Sequence, residues 1–446
     1  AWLLSTHRKE VNWRPVIWGV LLQLGLAFLL LIPQLQVFFF EVLDGGVKQL
    51  VAFSEEGATF VFKSIEPHSV PDASGGPVVD PGTEQVMNYQ GRVSPPVKTF
   101  AFWILPSIVF FSSLMSVLYH IGVMQWLIQG IAWIMQRTMG TSGSESLSAA
   151  ANIFVGQTEA PLVVEPFVDK MTKSELHAVM TGGYATVAGG VMAAYVAFLR
   201  DIPGIAGHLV TASILSAPAA LAISKVMAPE VEKSETADMD ATKAALPEPT
   251  SSNLLEAAAN GATLGIKLAI NVTAMLIAFV GLVAMVNWGI GQVYDDLSLQ
   301  KMLGWIFSPF AFAMGVPLDE AGTVGQLLGE KIVLTEFIAY VHLGEMLSSS
   351  DPVLSERSAV IATYALCGFA NFASIGIQLG GLGGIAPRRM GELAAMGFRA
   401  MIAGTLAAFM TATVAGVMLD GSPVLEDAAV ETAVDDGEDA EDASAE

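Results

Sequence analysis

Apolar runs of membrane-spanning length recur along this chain and restrict its fold more than any other feature. A transmembrane helix needs about 20 predominantly apolar residues. Hydrophobic residues make up 53% of the 446 positions and charged residues only 14%, so a water-soluble fold would have few polar side chains for its surface. The sequence therefore predicts an all-α polytopic membrane protein. Its clearest apolar runs are 16–32, 101–119, 178–198, 209–227, 264–286, 359–382 and 394–419.

The net charge of −22 is concentrated in a few segments. Residues 420–446 contain eleven Asp or Glu and no Lys or Arg, and residues 228–252 contain six acidic and two basic residues. We expect these segments, and 54–98, to be solvated and partly disordered. The acidic balance disfavours nucleic acid as a partner, and the absence of a Gly-x-x-x-x-Gly-Lys-Ser/Thr loop gives no indication of ATP as an energy source.

Basic residues predict the orientation of the spans. Arg8, Lys9 and Arg14 precede the first complete span and mark a cytoplasmic loop. Residues 1–10 are expected to be the remnant of a first transmembrane helix. Following the spans from this loop places 54–98 and the C-terminal tail outside, and it places the basic residues Arg137, Lys170, Lys173, Arg388 and Arg389 inside.

Two segments do not fit as spans. Residues 142–168 contain Gly156-Gln157-Thr158-Glu159-Ala160-Pro161 and have both ends on the predicted inner side. A carboxylate at the bilayer centre costs roughly 2.5–3.5 kcal/mol, and broken backbone there must be buried in protein or line a cavity. We therefore expect a re-entrant hairpin. Residues 317–340, with ends on the outer side, predict a second hairpin; an external amphipathic helix is the alternative.

An internal similarity links the regions that follow the hairpins. Residues 183–191 read Gly-Tyr-Ala-Thr-Val-Ala-Gly-Gly-Val, and residues 368–376 read Gly-Phe-Ala-Asn-Phe-Ala-Ser-Ile-Gly. The predicted topology makes these two segments, here called the echo segments, cross the membrane in opposite directions. This pattern is typical of inverted-repeat transporters, whose ligands bind where discontinuous helices meet. Chance similarity between Gly/Ala-rich packing stretches is the alternative.

Polar residues in the hairpins and echo segments suit a neutral, polyhydroxylated solute. Carboxylates of Glu159 and Glu336 can accept hydrogen bonds from hydroxyls. Asn371 and Ser374 are three residues apart and share a helical face. Backbone carbonyls freed near the first hairpin tip, with the Thr186 hydroxyl, could hold Na⁺. Alternatively, that hydroxyl bonds the preceding helical turn.

Four motifs carry a family resemblance. They are Gly156-Gln-Thr-Glu-Ala-Pro-Leu162, Thr172-Lys-Ser-Glu-Leu-His-Ala-Val179, Gly329-Glu-Lys331 with Glu336-Phe337, and Tyr364-Ala-Leu-Cys-Gly-Phe-Ala-Asn371. In this order they resemble the concentrative nucleoside transporters, and the resemblance extends from about residue 11 to residue 419. It implies inverted repeats with two re-entrant hairpins and broken transmembrane helices, in a homotrimeric elevator-type transporter. The implied activity is import of nucleosides such as uridine and adenosine across the inner membrane, with Na⁺ as the co-transported ion and no organic cofactor.

The resemblance also implies roles for individual residues. Nucleobase contacts would come from Gln157, Thr158, Glu159, Val191 and Leu268. The ribose would be bound by Glu336, Asn371 and Ser374, with Phe369 beside it. Na⁺ would be surrounded by Asn152, Val155, Thr186 and Val187, largely through main-chain carbonyls. Two departures from the family pattern are Thr335, where Asn is usual, and Glu165, where Arg is common.

The implied domain organisation divides the chain as follows. Transport-domain segments are 137–200, with hairpin 1 and a broken helix, and 317–386, with hairpin 2 and a broken helix. Scaffold spans occupy 11–136, with an interfacial helix and the external insertion at about 54–98, and also 201–227 and 387–419. A span and an interfacial helix fill 261–316. The acidic loop 228–260 is expected in the cytoplasm, and the acidic tail is 420–446.

Three other functions are alternatives to Na⁺-coupled import. A proton-coupled nucleoside symporter is possible because Glu159 or Glu336 could carry H⁺. An intramembrane hydrolase would need a nucleophile–base pair or a metal motif such as His-Glu-x-x-His, and the sequence has neither. A channel is disfavoured by the asymmetric hairpins. The sequence thus predicts a transporter and not an enzyme.

Overall fold

The structure is a computed structural model of the chain. It describes residues 1–30, 32–62, 68–69, 88–89, 100–200, 202–237, 239, 251–294, 297–349 and 353–419. The predicted acidic tail, most of the predicted external insertion and the middle of the predicted cytoplasmic acidic loop lie outside these residues.

The first part of the described chain contains two long helices, α1 and α3, and a bent pair of helices, α4 and α5. A 3-10 turn at Trp2–Leu4 precedes them, π-helical turns lie at Phe38–Val42 and Phe100–Ile104, and two short strands pair antiparallel. The elements are α1 (Trp13–Leu30), α2 (Pro33–Val37), α3 (Leu43–Val61), β1 (His68–Ser69), β2 (Asn88–Tyr89), α4 (Leu105–His120) and α5 (Val123–Met139).

The middle of the chain contains the first hairpin and the first broken helix. A 3-10 turn at Ala160–Val164 follows the hairpin tip. The helices are α6 (Gly143–Ala151), α7 (Glu165–Val168), α8 (Lys173–Ala185), α9 (Gly189–Phe198), α10 (Ile205–Met227), α11 (Leu254–Gly291) and α12 (Leu299–Ala313).

The last part contains the segment predicted as the second hairpin, then a helix interrupted at residues 367–371 and a long final helix. A 3-10 turn at Pro387–Arg389 precedes the final helix. The helices are α13 (Ala321–Val333), α14 (Glu336–Leu347), α15 (Glu356–Leu366), α16 (Phe372–Ile385) and α17 (Met390–Leu419).

Several helices have the length and composition of membrane spans. Among the described residues, five helical segments qualify: Trp13–Leu30, Lys173–Phe198 (α8 and α9 together), Ile205–Met227, Leu254–Gly291 and Pro387–Met418. The pair α4 and α5 forms a sixth candidate, bent by 77°. The apolar run 359–382 is divided between α15 and α16, so it forms a broken helix and not one continuous span. The prediction of an all-helical membrane protein is confirmed.

Helices α8, α10 and α17 form the most deeply buried bundle and pack extensively on one another. Small residues permit this close approach. A Cβ placed on Gly404 of α17 would lie 2.4 Å from Cβ of Tyr184 in α8. A Cβ placed on Gly19 of α1 would lie 2.8 Å from Cβ of Ala222 in α10. By contrast, only 12% of the apolar window of α11 is buried.

Segments that the sequence places in the cytoplasm contact one another. Arg14 Nη2 donates a hydrogen bond to the Arg137 carbonyl at 3.1 Å, and Arg389 Nη1 donates to the Val168 carbonyl at 3.2 Å. The first bond joins the start of α1 to the end of α5, and the second joins the return of the first hairpin to the start of α17. Each bond therefore connects two segments that the predicted topology places on the inner side.

Segments that the sequence places on the outer side of the membrane also contact one another. The backbone N–H of Ser355 donates to Oε1 of Glu320 at 3.2 Å. Arg357 Nη2 donates to the Gly416 carbonyl near the end of α17 at 2.9 Å. The second hairpin therefore begins at the end of the molecule where α17 finishes.

Candidate binding site between the two hairpins

Both echo segments extend across a helix break. The first contains the end of α8, the non-helical residues 186–188 and the start of α9, and the second contains residues 368–371 and the start of α16. Gly368 has a φ of 106°, and a Cβ there would lie 2.6 Å from the Tyr184 carbonyl oxygen. Glycine is therefore required, because a side chain would be strained by the backbone conformation and would collide with the other break. The two breaks cross in direct contact.

Local sequence determines where the first hairpin and the helix after it begin. The backbone N–H of Ser142 donates to Oε1 of Glu145 at 2.7 Å, and that of Thr172 donates to Oε2 of Glu175 at 2.8 Å. The Ser142 and Thr172 side chains cap in return, which completes a capping box at each helix start. These capping boxes fix the residues at which α6 and α8 begin. The first hairpin tip lies between these two helices in the sequence.

A continuous series of hydrogen bonds joins the two hairpins, and we call it the polar chain. Gln157 Nε2 donates to Ser374 Oγ at 3.2 Å, and the Ser374 backbone N–H donates to Asn371 Oδ1 at 2.8 Å. Asn371 Nδ2 then donates to Glu336 Oε2 at 2.8 Å. Finally, Tyr195 OH donates to Glu336 Oε1 at 3.0 Å. Four of these five side chains were predicted site residues.

Side chains of the polar chain can still accept hydrogen bonds from a ligand. Glu336 is only 4% exposed, and each of its carboxylate oxygens accepts one protein hydrogen bond, which leaves further lone pairs. Gln157 Oε1 is buried and, among the described residues, has no hydrogen-bond partner. An unsatisfied buried acceptor costs about 1–3 kcal/mol. A ligand with O–H and N–H donors would relieve that cost.

The second predicted carboxylate lies in a separate, more open space. Glu159 lines a cavity of about 310 Å³ together with Val155, Leu268, Gly189 and Gly190. Its Oε2 accepts from the Gly156 backbone N–H at 3.4 Å, which is a long bond. The cavity extends between α4, α9, α11 and the first hairpin tip. The side chains of the polar chain do not line this cavity, whereas Glu159 and Leu268 do.

The remaining predicted substrate residues occupy other surroundings. The Thr158 methyl lies against α16, 3.2 Å from where a Gly381 Cβ would be. Val191 is 3% exposed and Phe369 is half-buried, and both belong to the apolar core that also includes Leu268.

Predicted Na⁺ residues converge near Gly182. Thr186 Oγ1 donates to the Gly182 carbonyl at 2.9 Å, which is the turn-bonded arrangement, but its lone pairs stay available to a cation. Asn152 is fully buried and its Nδ2 donates to the Ser148 carbonyl at 3.0 Å. Within the described chain, Asn152 Oδ1 has no partner. Two oxygen ligands suited to a hard cation thus lie beside the first break.

The other two predicted Na⁺ residues flank this point. Val155 is half-buried in the hairpin loop, and Val187 is 1% exposed in the break. The loop is tied to the start of α9, because the Gly189 backbone N–H donates to the Phe154 carbonyl at 3.0 Å. All four predicted residues therefore belong to the loop and the break that this bond connects.

Three family models match the chain. Residues 1–65 match the N-terminus of Na⁺-dependent nucleoside transporters, residues 101–201 match a nucleoside-recognition domain, and residues 208–416 match the C-terminus of Na⁺-dependent nucleoside transporters. The chain is 43% identical to an uncharacterized transporter of Haemophilus influenzae, over 94% of each protein. It belongs to the concentrative nucleoside transporter family.

Other relatives of the chain are longer. The chain is 42% identical to solute carrier family 28 member 3 of Mus musculus, and the match covers 94% of the chain but 57% of the mouse protein. The structure of CNTnw in an inward-facing, substrate-bound state matches with a TM-score of 0.80 and 41% identity over 94% of each chain. The chain is thus a multi-pass membrane protein from a family of transporters, not of enzymes.

Two polar residues of this family member were missed in the sequence. Tyr195 lies in the apolar sequence of α9, and only its hydroxyl marks it, since a buried Tyr O–H usually requires a partner. Gln378 donates from Nε2 to the Met180 carbonyl at 2.9 Å. Gln378 could have been found, because it lies four residues after Ser374 on the face that Asn371 and Ser374 share.

Proposed function

We propose that this chain imports nucleosides in symport with Na⁺ by alternating access. The polar chain from Gln157 to Tyr195 carries this proposal, because it joins both hairpins and both broken helices in one buried set of donors and acceptors. Ligand binding there would couple the two halves of the protein. The name of the rat relative, sodium/nucleoside cotransporter 1, at 40% identity, supports the same substrates.

In this proposal the ribose binds at the second hairpin. Glu336 would accept hydrogen bonds from ribose hydroxyls, while Asn371 holds its carboxylate and Ser374 completes the polar surface. Phe369 would pack beside the sugar. Hydrogen bonds to a charged acceptor contribute about 1.5–3 kcal/mol each, so this side would supply much of the affinity.

The nucleobase would bind at the first hairpin. The unpartnered Gln157 Oε1 can accept from a base N–H, and Glu159 offers a second acceptor from the adjoining cavity. Thr158, Val191 and Leu268 would enclose the base. Na⁺ would bind beside the first break through Asn152, Val155, Thr186 and Val187.

We further propose inverted repeats with two re-entrant hairpins. Three observations support this: the echo segments cross at equivalent breaks, the first hairpin starts at the end that holds the basic segments, and the second starts at the opposite end. Discontinuous helices that meet near the midplane are the usual ligand sites of such repeats.

An elevator motion would need a compact moving unit. The hairpins and broken helices pack with α10 and α17, whereas α4 packs chiefly on the exposed α11. We propose that α10 and α17 move with the hairpins and that α4 and α11 form the scaffold. This packing does not favour the sequence-based assignment of 201–227 and 387–419 to the scaffold. A homotrimer in the inner membrane would cover part of the apolar face of α11.

Uptake by reconstituted protein tests the function. Proteoliposomes are given radiolabelled uridine or adenosine with an inward Na⁺ gradient, with choline in place of Na⁺, or with an inward H⁺ gradient alone. We expect uptake only with Na⁺. Uptake driven by the H⁺ gradient alone would establish the proton-coupled alternative, and equal uptake in choline would exclude ion coupling.

A further inference from the structure

A buried lysine contacts the second helix break. Lys331, in α13 of the second hairpin, has no exposed surface. Its Nζ donates to the Ala365 carbonyl at 2.9 Å and to the Cys367 carbonyl at 3.2 Å. Both carbonyls lie at the C-terminal end of α15, where the helix stops. The ammonium is therefore held by main-chain oxygens.

A helix C-terminus is an electrostatically suitable place for this ammonium. The last carbonyls of a helix lack intrahelical partners, and the macrodipole places about half a negative charge there. An uncompensated buried ion is costly, by several kcal/mol. The end of α15 compensates part of the charge of Lys331, and Lys331 in turn satisfies carbonyls that the break would leave without donors.

The first break provides a direct comparison. Aligning the echo segments pairs Gly183 with Gly368, and therefore pairs Met180 with Ala365 and Gly182 with Cys367. The Met180 carbonyl accepts from Gln378 Nε2 at 2.9 Å, and the Gly182 carbonyl accepts from the Thr186 hydroxyl at 2.9 Å. Both donors are neutral. Equivalent carbonyls thus meet neutral donors in the first repeat and one ammonium in the second.

We propose that Lys331 is a tethered cation that serves the second break as Na⁺ serves the first. The inference rests on the proposed Na⁺ coupling. Each broken helix directs a negative helix end into the protein, and each needs positive charge. The first break binds a Na⁺ ion from solution, and the second break is served by the Lys331 ammonium of the protein itself. One transport cycle would then move a single exchangeable cation.

Wild-type protein gives the first test. The charge moved per uridine is measured in proteoliposomes from the membrane potential at which flux reverses, and one Na⁺ per uridine is expected. Two Na⁺ per uridine would overturn the inference while leaving Na⁺ coupling intact. Na⁺-independent uptake would instead reject the proposed function.

Three substitutions then separate charge from hydrogen bonding. Lys331→Gln replaces the ammonium with a neutral amide donor like that of Gln378, whereas Lys331→Met removes the donor and Lys331→Arg keeps the charge. We expect both neutral variants to need a second Na⁺, so that the Hill coefficient for Na⁺ activation of uridine binding to purified protein rises from about 1 to about 2. Lys331→Arg should keep the wild-type value.

A matched control is Lys267→Met in α11, because Lys267 is an exposed lysine on a predicted span. It should leave the Hill coefficient unchanged. Wild-type Na⁺ dependence in Lys331→Gln would show that only a hydrogen bond is required, and it would overturn the inference. If the neutral variants do not fold, the wild-type charge ratio still decides the question.

Discussion

The two hairpins hold their carboxylates in different ways. Glu336 is buried and accepts hydrogen bonds from Tyr195 and Asn371, whereas Glu159 has one long backbone contact and lines a cavity. A group already held by the protein loses little freedom when a ligand binds, while a loosely held group must be ordered at that moment. The comparison indicates a preorganised sugar side and an adaptable base side.

The largest expected effect comes from Glu336→Gln. Both carboxylate oxygens accept protein donors, so a Gln amide would place an NH₂ group against Tyr195 or Asn371. We expect the kcat/KM of uridine uptake to fall about 100-fold, because charge-assisted hydrogen bonds to the ligand and to the site are lost together. Glu345→Gln, an exposed carboxylate on the same helix α14, is the control and should transport normally. Normal uptake by Glu336→Gln would contradict the proposal that Glu336 is a preorganised acceptor for the sugar.

Glu159→Gln should have a smaller effect. The cavity carboxylate has few protein partners, so its loss disturbs the ligand contact and little else. We expect about a tenfold rise in KM with the melting temperature of the purified protein unchanged, from one weakened charge-assisted bond. The proposed difference between a firmly held Glu336 and a loosely held Glu159 would be contradicted if Glu159→Gln were destabilised as strongly as Glu336→Gln.

Tyr195→Phe tests how far preorganisation matters. Removing the hydroxyl leaves Glu336 with only the Asn371 donor, and we expect about a fivefold loss of uridine affinity in equilibrium binding. Tyr340→Phe is a matched control, because Tyr340 stacks on Tyr195 with ring centroids 4.3 Å apart and its hydroxyl bonds the Thr363 carbonyl at 2.8 Å. That variant should lose stability but keep its affinity. Equal affinity losses in both would point to general packing damage.

The broken helices were expected only from the family resemblance, since the sequence shows 178–198 and 359–382 as uninterrupted apolar runs. The structure interrupts these runs at residues 186–188 and 367–371, where the echo segments lie. The resemblance assigned Glu336 and Asn371 to the same part of the ligand, but the hydrogen bond between them was not predicted. The predicted insertion 54–98 starts too early, since α3 continues to Val61 with the amphipathic sequence that precedes it.

Contacts between distant segments could not be predicted. Tyr195 and Glu336 are 141 residues apart, and an apolar helix gives no sign of which side chain its one hydroxyl will reach. The buried ion pair of Lys225 Nζ with Glu145 Oε2, at 2.7 Å, is a similar case. Such pairs arise from how α10 packs beside α6, and no spacing within either helix encodes that arrangement.

The smallest expected effect concerns the departure at Thr335. Its side chain caps α14 by accepting from the Ile338 backbone N–H at 3.5 Å, so it fixes the helix start that carries Glu336. Asn is an equally good N-cap, and Thr335→Asn should change uridine affinity less than about twofold. Thr335→Val removes the cap and should lower stability by about 1 kcal/mol, measured by thermal unfolding in detergent. If Thr335→Asn instead changed affinity as much as Tyr195→Phe, the side chain at 335 would be contacting the ligand, and the fixed position of Glu336 would not be explained by capping.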